Sequence, residues 1–163
     1  AEARNTALLT PTALYRTVAG CQWRSLPATV SELRAGAEEV NNEASLVLAA
    51  TCGTKTILLT GDAGATAEQH WDLTRVPGAV LKVGHHGSAS ATSDQLLRRL
   101  LPRHAIVSVG ATNPWSLPQS IVLERLRALG TAVYRTDRDG ALTFELGRRV
   151  RVRGERWRSG DGR

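Results

Sequence analysis

The 163-residue chain contains no methionine and only two cysteines, and aromatic residues make up 4% of it. Natural reading frames open with methionine, so this chain is expected to be an excised piece of a longer protein. Two cysteines are too few for a disulfide scaffold, and Cys21 and Cys52 do not form a CxxC pair, which argues against zinc held between them. Two buried thiols are the expected state, with a single bridge as the alternative in an oxidising compartment. No apolar run approaches the roughly 20 residues of a membrane span, and the first residues lack a signal-peptide pattern. What is present is a 42% hydrophobic chain, long enough for one domain with a real core and too apolar to be disordered.

The net charge of +6 is unevenly placed. Residues 148–163 carry seven arginines against Glu155 and Asp161, which is +5 and leaves the body nearly neutral. Such a tail reads as a solvated, disordered end, or as a surface for nucleic acid or an anionic membrane, with Arg148, Arg149, Arg151 and Arg153 as candidate nucleic-acid contacts.

Residues 1–40 show no sustained period and read as a poorly defined lead-in of short strands and loops, the end of a preceding half-domain. From Asn41 the pattern sharpens. Ser45 to Ala50 and Lys55 to Thr60 are apolar runs around a Cys-Gly-Thr turn, which predicts a hairpin. Gly64 to Leu73 reads as a short helix. The spacing Thr92-x-x-Gln95 predicts a capped helix carrying Leu96, Leu97, Leu100 and Leu101 inward and stopping at Pro102. Ala105 to Val109 is the next strand, and Pro118 leads into a helix over Ile121 to Leu129 closed by Gly130. Ala132 to Thr136 and Ala141 to Leu146, joined through Asp137-Arg-Asp-Gly140, predict a terminal hairpin. The fold class is therefore α/β (α+β): a mixed sheet with flanking helices over residues 41–147, followed by the Arg-rich tail.

Chemistry concentrates in two places. Ile57-Leu-Leu-Thr60 ends in Gly61-Asp62, and the run Ala79 to Val83 ends in Gly84-His-His-Gly87. Strands that stop at glycine deliver the next side chains to the mouth of a sheet, where an acid and imidazoles are raw material for a metal site. Asp62 reads either as a metal ligand or as a turn residue. From an extended backbone His85 and His86 would alternate faces, so at most one is an easy ligand and the other an acid-base group. Asn42 and Ser45 read as turn and cap residues at the site edge. Asn113 and Trp115 lie in a loop at another strand end, where Trp115 either stacks on a base or covers the core. His70 and His104 read as structural.

In order and spacing, Asn42-Glu-Ala-Ser-Leu-Val-Leu48, Leu58-Leu-Thr-Gly-Asp62, Leu81-Lys-Val-Gly-His-His-Gly-Ser88, Ala105-Ile-Val-Ser-Val-Gly110 and Val133-Tyr-Arg-Thr-Asp-Arg-Asp-Gly140 resemble one family. It is the metallo-β-lactamase-like domain at the C-terminal end of ComEC/Rec2 DNA-uptake proteins. The resemblance implies a sandwich of two sheets with outer helices, of which this chain is the second half. It further implies a metal-dependent nuclease acting on incoming DNA, with Zn or Mn as cofactor and no small-molecule cofactor. Its partners would be DNA and the remainder of a membrane transporter, and its place the extracytoplasmic side of a bacterial inner membrane. Asp62 and His86 become metal ligands, and His85 and His86 catalytic groups.

Two departures limit that expectation. Residues 1–40 contain no histidine and no aspartate, so the family's first ligand cluster is missing. Ser116 and Leu117 stand where the family's loop carries Gly and His. A catalytic zinc takes about three protein ligands, and of Asp62, His85 and His86 two are expected to converge. The isolated chain is then expected to bind metal poorly and to lack nuclease activity. The alternative is a non-catalytic, degenerate domain serving structure or DNA binding; a small-molecule hydrolase of the same fold is a third reading. A half-domain would also leave an apolar sheet face uncovered.

Overall fold

The computed structural model describes residues 15–26, 40–76, 79–147 and 149–155. Seven strands form one sheet in chain order: β1 (Tyr15–Val18), β2 (Cys21–Ser25), β3 (Leu48–Cys52), β4 (Lys55–Leu59), β5 (Val80–Lys82), β6 (His104–Val107) and β7 (Ala132–Arg135). A short helix, α1 (Val40–Glu43), leads into β3. The first four strands pair antiparallel, β3 and β4 in the predicted hairpin. From β4 to β7 the pairing is parallel. Parallel neighbours need long crossovers, and these carry α2 (Ala65–Glu68), α3 (Asp94–Leu100) and α4 (Ser120–Ala128). All four parallel strands consequently end at the same edge of the sheet.

Alternation along the strands sorts the two faces. Ala49, Leu58, Leu81, Ala105 and Val107 are buried with Leu96, Leu97 and Leu100 of α3, Val122 and Leu126 of α4, and Trp71 in one core. Arg125 reaches from α4 to Asp94 at the start of α3, 3.5 Å away. On the opposite face Leu48, Ile57, Leu59, Ile106 and Tyr134 are only half-buried. Ala50 and Val80 on the same face are fully buried, so the exposed apolar face expected of a half-domain is not seen among the described residues. His104 lies there as a structural residue: it stacks on Tyr134 with ring centroids 5.9 Å apart, and burial, aided by Arg103, holds its pKa below the ordinary value.

Several expectations are corrected. Cys21 and Cys52 form a disulfide rather than two thiols, because the β2–β3 register sets them directly opposite with their Cα atoms 4.4 Å apart. The terminal hairpin is β8 (Ala141–Leu146) with β9 (Val150–Glu155), a separate two-stranded sheet, whereas β7 belongs to the main sheet. Asp137-Arg-Asp-Gly140 is not a hairpin turn but the end of α5 (Thr136–Asp139). There the Asp139 carboxylate accepts the Arg135 backbone N–H (2.9 Å), and the Thr136 hydroxyl bonds both backbone groups of Val109 (2.8 Å each). Those sideways bonds to the end of β6 override the local Asp-Gly preference. Residues 150–155, expected to lie in a disordered tail, are strand. The cap of α3 is Ser93, not Thr92; its hydroxyl accepts the Leu96 N–H at 3.1 Å. The helix predicted over Gly64 to Leu73 is confined to Ala65–Glu68.

Thr92 loses the cap because the turn before α3 is built on Glu68. This carboxylate is 1% exposed and accepts the backbone N–H of Thr92 (2.5 Å) and of Ser93 (2.9 Å). Thr92, with φ +54°, then turns its hydroxyl to accept the N–H of Gly84 at 3.0 Å. Burial raises the Glu68 pKa above its ordinary 4.5; the bonds from Ser93 and Thr92 oppose that and nearby Glu43 adds to it. Removing the carboxylate strands two buried donors, each costing about 1–3 kcal/mol, so Glu68→Ala should destabilise by about 3 kcal/mol in urea denaturation. A raised folded pKa means that the fold takes up the proton before the unfolded chain does. Relative to Glu68→Gln, the wild type should therefore gain stability as pH falls from neutrality towards 4.5; a difference independent of pH would contradict this.

Candidate functional site

The carboxyl edge of a parallel sheet is where open α/β folds collect ligand-binding groups, and the sequence candidates converge there. After β4, Thr60 is buried and Gly61 turns the chain with φ +58°. A Cβ on Gly61 would sit 3.0 Å from that of Ser45, so any other residue would be both left-handed and crowded against Ser45. The Ser45 hydroxyl accepts the Asp62 N–H at 3.2 Å and fixes the carboxylate's base. The Gly61 carbonyl accepts from two groups, the His85 N–H at 3.2 Å and the Lys82 ammonium at 3.1 Å. The sequence signal for this role of Lys82 is a lysine inside the apolar run Ala79 to Val83. Burial lowers its pKa, and the charge of Asp62 opposes that shift.

The two histidines do not alternate. His85 (φ 44°, ψ 46°) and His86 (φ 54°, ψ 16°) are both left-handed within a 3-10 turn over Gly84–Gly87. The premise of an extended backbone fails, and both rings line one cavity of about 520 Å³ together with Asp62, Ser88, Trp115, Leu117 and Gln119. Left-handed non-glycine residues are uncommon and persist only where surroundings enforce them. Here Gly87 (φ +91°) packs against Pro118, where a side chain would clash. Gln119 clamps the far side, its N–H donating to Gly87 O (2.9 Å) and its Oε1 accepting from the Ala89 N–H (2.6 Å).

His86 Nδ1 lies 2.7 Å from the Ser108 carbonyl oxygen. A carbonyl only accepts, so Nδ1 carries the hydrogen and Nε2 is left to face the site. Nε2 stands 3.7 Å from Asp62 Oδ1, with both side chains nearly half exposed. In the neutral ring this sets two lone-pair donors side by side, suited to a shared cation. No group of three or more His, Cys, Asp or Glu side chains able to hold a metal occurs among the described residues. Asp62 and His86 alone fall short of the three ligands of a catalytic zinc.

The opposite wall is the loop after β6. Asn113 binds it from within: its amide nitrogen donates to Gly110 O (2.9 Å) and Leu117 O (3.0 Å), and its oxygen accepts the Leu117 N–H (2.8 Å). Ser116, at the position where the resembling family carries glycine, has φ +53°. Leu117 packs on the core, while Trp115 is 72% exposed and covers none of it. Asn42, Ser45 and Asn113 thus surround the cavity without lining it; the Asn42 carbonyl accepts the Ser45 N–H at 2.9 Å. Arg149, Arg151 and Arg153 are exposed and away from the cavity lining, and Arg153 lies 3.4 Å from Glu145 across the β8–β9 ribbon. Arg148 falls outside the described residues.

These features define an α/β domain with a His/Asp cleft at the carboxyl edge of its sheet. No protein-family model matches the chain. Among curated proteins it is 39% identical over 114 residues to Recombination protein 2 of Haemophilus influenzae, covering 70% of this chain and 14% of that protein. It is 36% identical over 111 residues to ComE operon protein 3 of Bacillus subtilis, covering 67% and 14%. It is 37% identical over 113 residues to Competence protein ComA of Neisseria gonorrhoeae, covering 66% and 16%. The chain belongs to the ComEC/Rec2 family of competence proteins and spans a small part, 14–16%, of these relatives' length.

Two outcomes follow from the histidine turn. His85→Gly should raise the urea unfolding free energy by about 1 kcal/mol, the order of a left-handed residue's cost; an equal or lower value would show that the conformation is unstrained. In the neutral ring, His86 should be the Nδ1–H tautomer by its ring nitrogen NMR shifts, and an Nε2–H pattern would refute the Ser108 bond.

Proposed function

We propose that the chain forms one wall of a DNA-processing site in a ComEC/Rec2-type uptake protein, with a phosphodiester received in the cleft of Asp62, His85 and His86. One observation carries this reading: the ends of two neighbouring parallel strands deliver Asp62 and the histidine pair to a single cavity, and the Ser108 carbonyl past the next strand orients His86. The relatives' names, recombination and competence proteins, support DNA as the substrate class. In the whole protein the site is a metal-dependent hydrolase of the metallo-β-lactamase type, with Asp62 and His86 as two ligands of a divalent ion and further ligands from elsewhere. A bound divalent ion would supply Lewis acidity and an activated water. The chain's own donor set is incomplete, so no hydrolytic step is assigned to it alone. The Cys21–Cys52 bridge favours placement of the domain in an oxidising, extracytoplasmic compartment.

Leu117 favours a second reading, a non-catalytic DNA-binding domain. It lines the cavity where the resembling family carries a histidine, and an isobutyl group neither binds metal nor moves a proton.

The test is plasmid nicking with Mn²⁺ by the purified chain and by the longer protein that contains it. The chain alone should leave supercoiled plasmid intact, and the longer protein should nick it in a manner abolished by Asp62→Asn. Nicking by the chain itself, lost in Asp62→Asn, would show that the two-ligand count is wrong. A longer protein that binds DNA but never nicks it would leave the binding reading in place.

A further inference from the structure

Trp115 is, among the described residues, the most exposed of the large apolar side chains at 72%, and it stands on the rim of the His/Asp cavity. An indole left in water forgoes a large burial energy, so an exposed tryptophan beside convergent polar groups marks a contact surface. Its loop is not loose. Asn113 closes a ring of hydrogen bonds from Gly110 to Leu117 around it, Leu117 is packed on the core, and Pro118 is seated on Gly87. The indole is therefore held out by a braced loop, and binding need not first order its backbone.

We infer that Trp115 is a stacking platform for an unpaired nucleobase, so that the cleft takes single-stranded DNA in preference to duplex. This rests on the reading of the chain as a DNA-processing wall and names the form of the DNA. Among the described residues the cavity lining contains no lysine or arginine and includes the Asp62 carboxylate, so phosphate attraction does not come from that lining. What it offers is one aromatic face beside Asp62 and the two histidines. Stacking on an aromatic face is sequence-tolerant, and base faces are free to stack only where the strand is unpaired. In a duplex they are covered by neighbouring pairs. A base resting on Trp115 would hold its strand at the cavity that presents Asp62 and His86.

The measurement is fluorescence anisotropy of a labelled oligothymidylate, and of a duplex of equal length, with the wild-type chain, Trp115→Ala and Trp115→Phe. Trp115→Ala should weaken oligothymidylate binding about tenfold, the scale of one lost base stack. Trp115→Phe should retain most of it, and duplex binding should be the same in all three. The exposed position predicts an unchanged urea midpoint, which separates the effect from misfolding. Unchanged oligothymidylate affinity in Trp115→Ala, with the wild type binding, overturns the platform alone and leaves the indole to a protein contact. Equal losses on single strand and duplex overturn the preference for unpaired bases. A wild-type chain that binds neither DNA overturns the platform together with the proposed function.

Discussion

The Gly61 carbonyl is the contact on which the site depends. It receives the Lys82 ammonium from the neighbouring strand and the His85 N–H from the loop beyond it. One oxygen thereby ties the turn that carries Asp62 to the turn that carries both histidines. The ammonium supplies a charge-assisted bond in a half-buried place, where such bonds are stronger than at the surface. The arrangement also holds a positive charge near Asp62, which partly offsets the burial that disfavours the lysine's charge. A substitution at Gly61 would crowd Ser45, whose Cβ lies 3.0 Å from where a side chain would begin.

Around that contact the fold is braced by carboxylates acting on backbone rather than on cations. Glu43 accepts the Ala67 N–H at 2.7 Å, and Glu68 accepts two N–H groups at the entry to α3. Arg99 returns from α3 to the backbone carbonyls of Glu68, Gln69 and Trp71. The short α2 is thus pinned from both sides, and Thr92, set by Glu68, reaches Gly84 at the start of the histidine turn. The strain of two consecutive left-handed histidines is sustained by this bracing together with the Gly87–Pro118 contact and the Gln119 clamp. A site that stores backbone strain in its functional residues needs its support elsewhere, and here the support lies in the segments on either side of the turn.

Much of this was legible in the sequence. Glycine after an apolar run marked both strand ends that carry chemistry, and the element order from β3 to β7 followed from period and turn residues. Three things were not legible, for different reasons. The disulfide joins residues 31 apart and depends on a β2–β3 register that neither segment specifies alone. The Asp-Gly turn signal was sound chemistry, but Thr136 and Asp139 found partners on β6 and β7 that local reasoning does not include. The left-handed pair His85-His86 removed the alternation of faces on which the expectation of at most one easy ligand rested, and both rings line the cavity. Histidine tolerates that conformation better than most residues, yet nothing in a Gly-His-His-Gly string distinguishes it from an extended one.

The donor count and the exposed tryptophan bear on each other. Among the described residues, the cleft lining holds one carboxylate, two imidazoles and a leucine but no lysine or arginine, so it offers a phosphodiester little electrostatic attraction. On the proposed reading, the large favourable contact left to a DNA strand among the described lining residues is the Trp115 face. If the complete protein supplies the remaining ligands, the wall seen here contributes placement: a stacked base on one side, and Asp62 with an oriented His86 on the other. If it does not, the same wall is a single-strand binding surface whose chemistry has lapsed. Both cases require the loop held by Asn113 and the turn held by Gly61 to be rigid, and in both the part carried by this chain is positional.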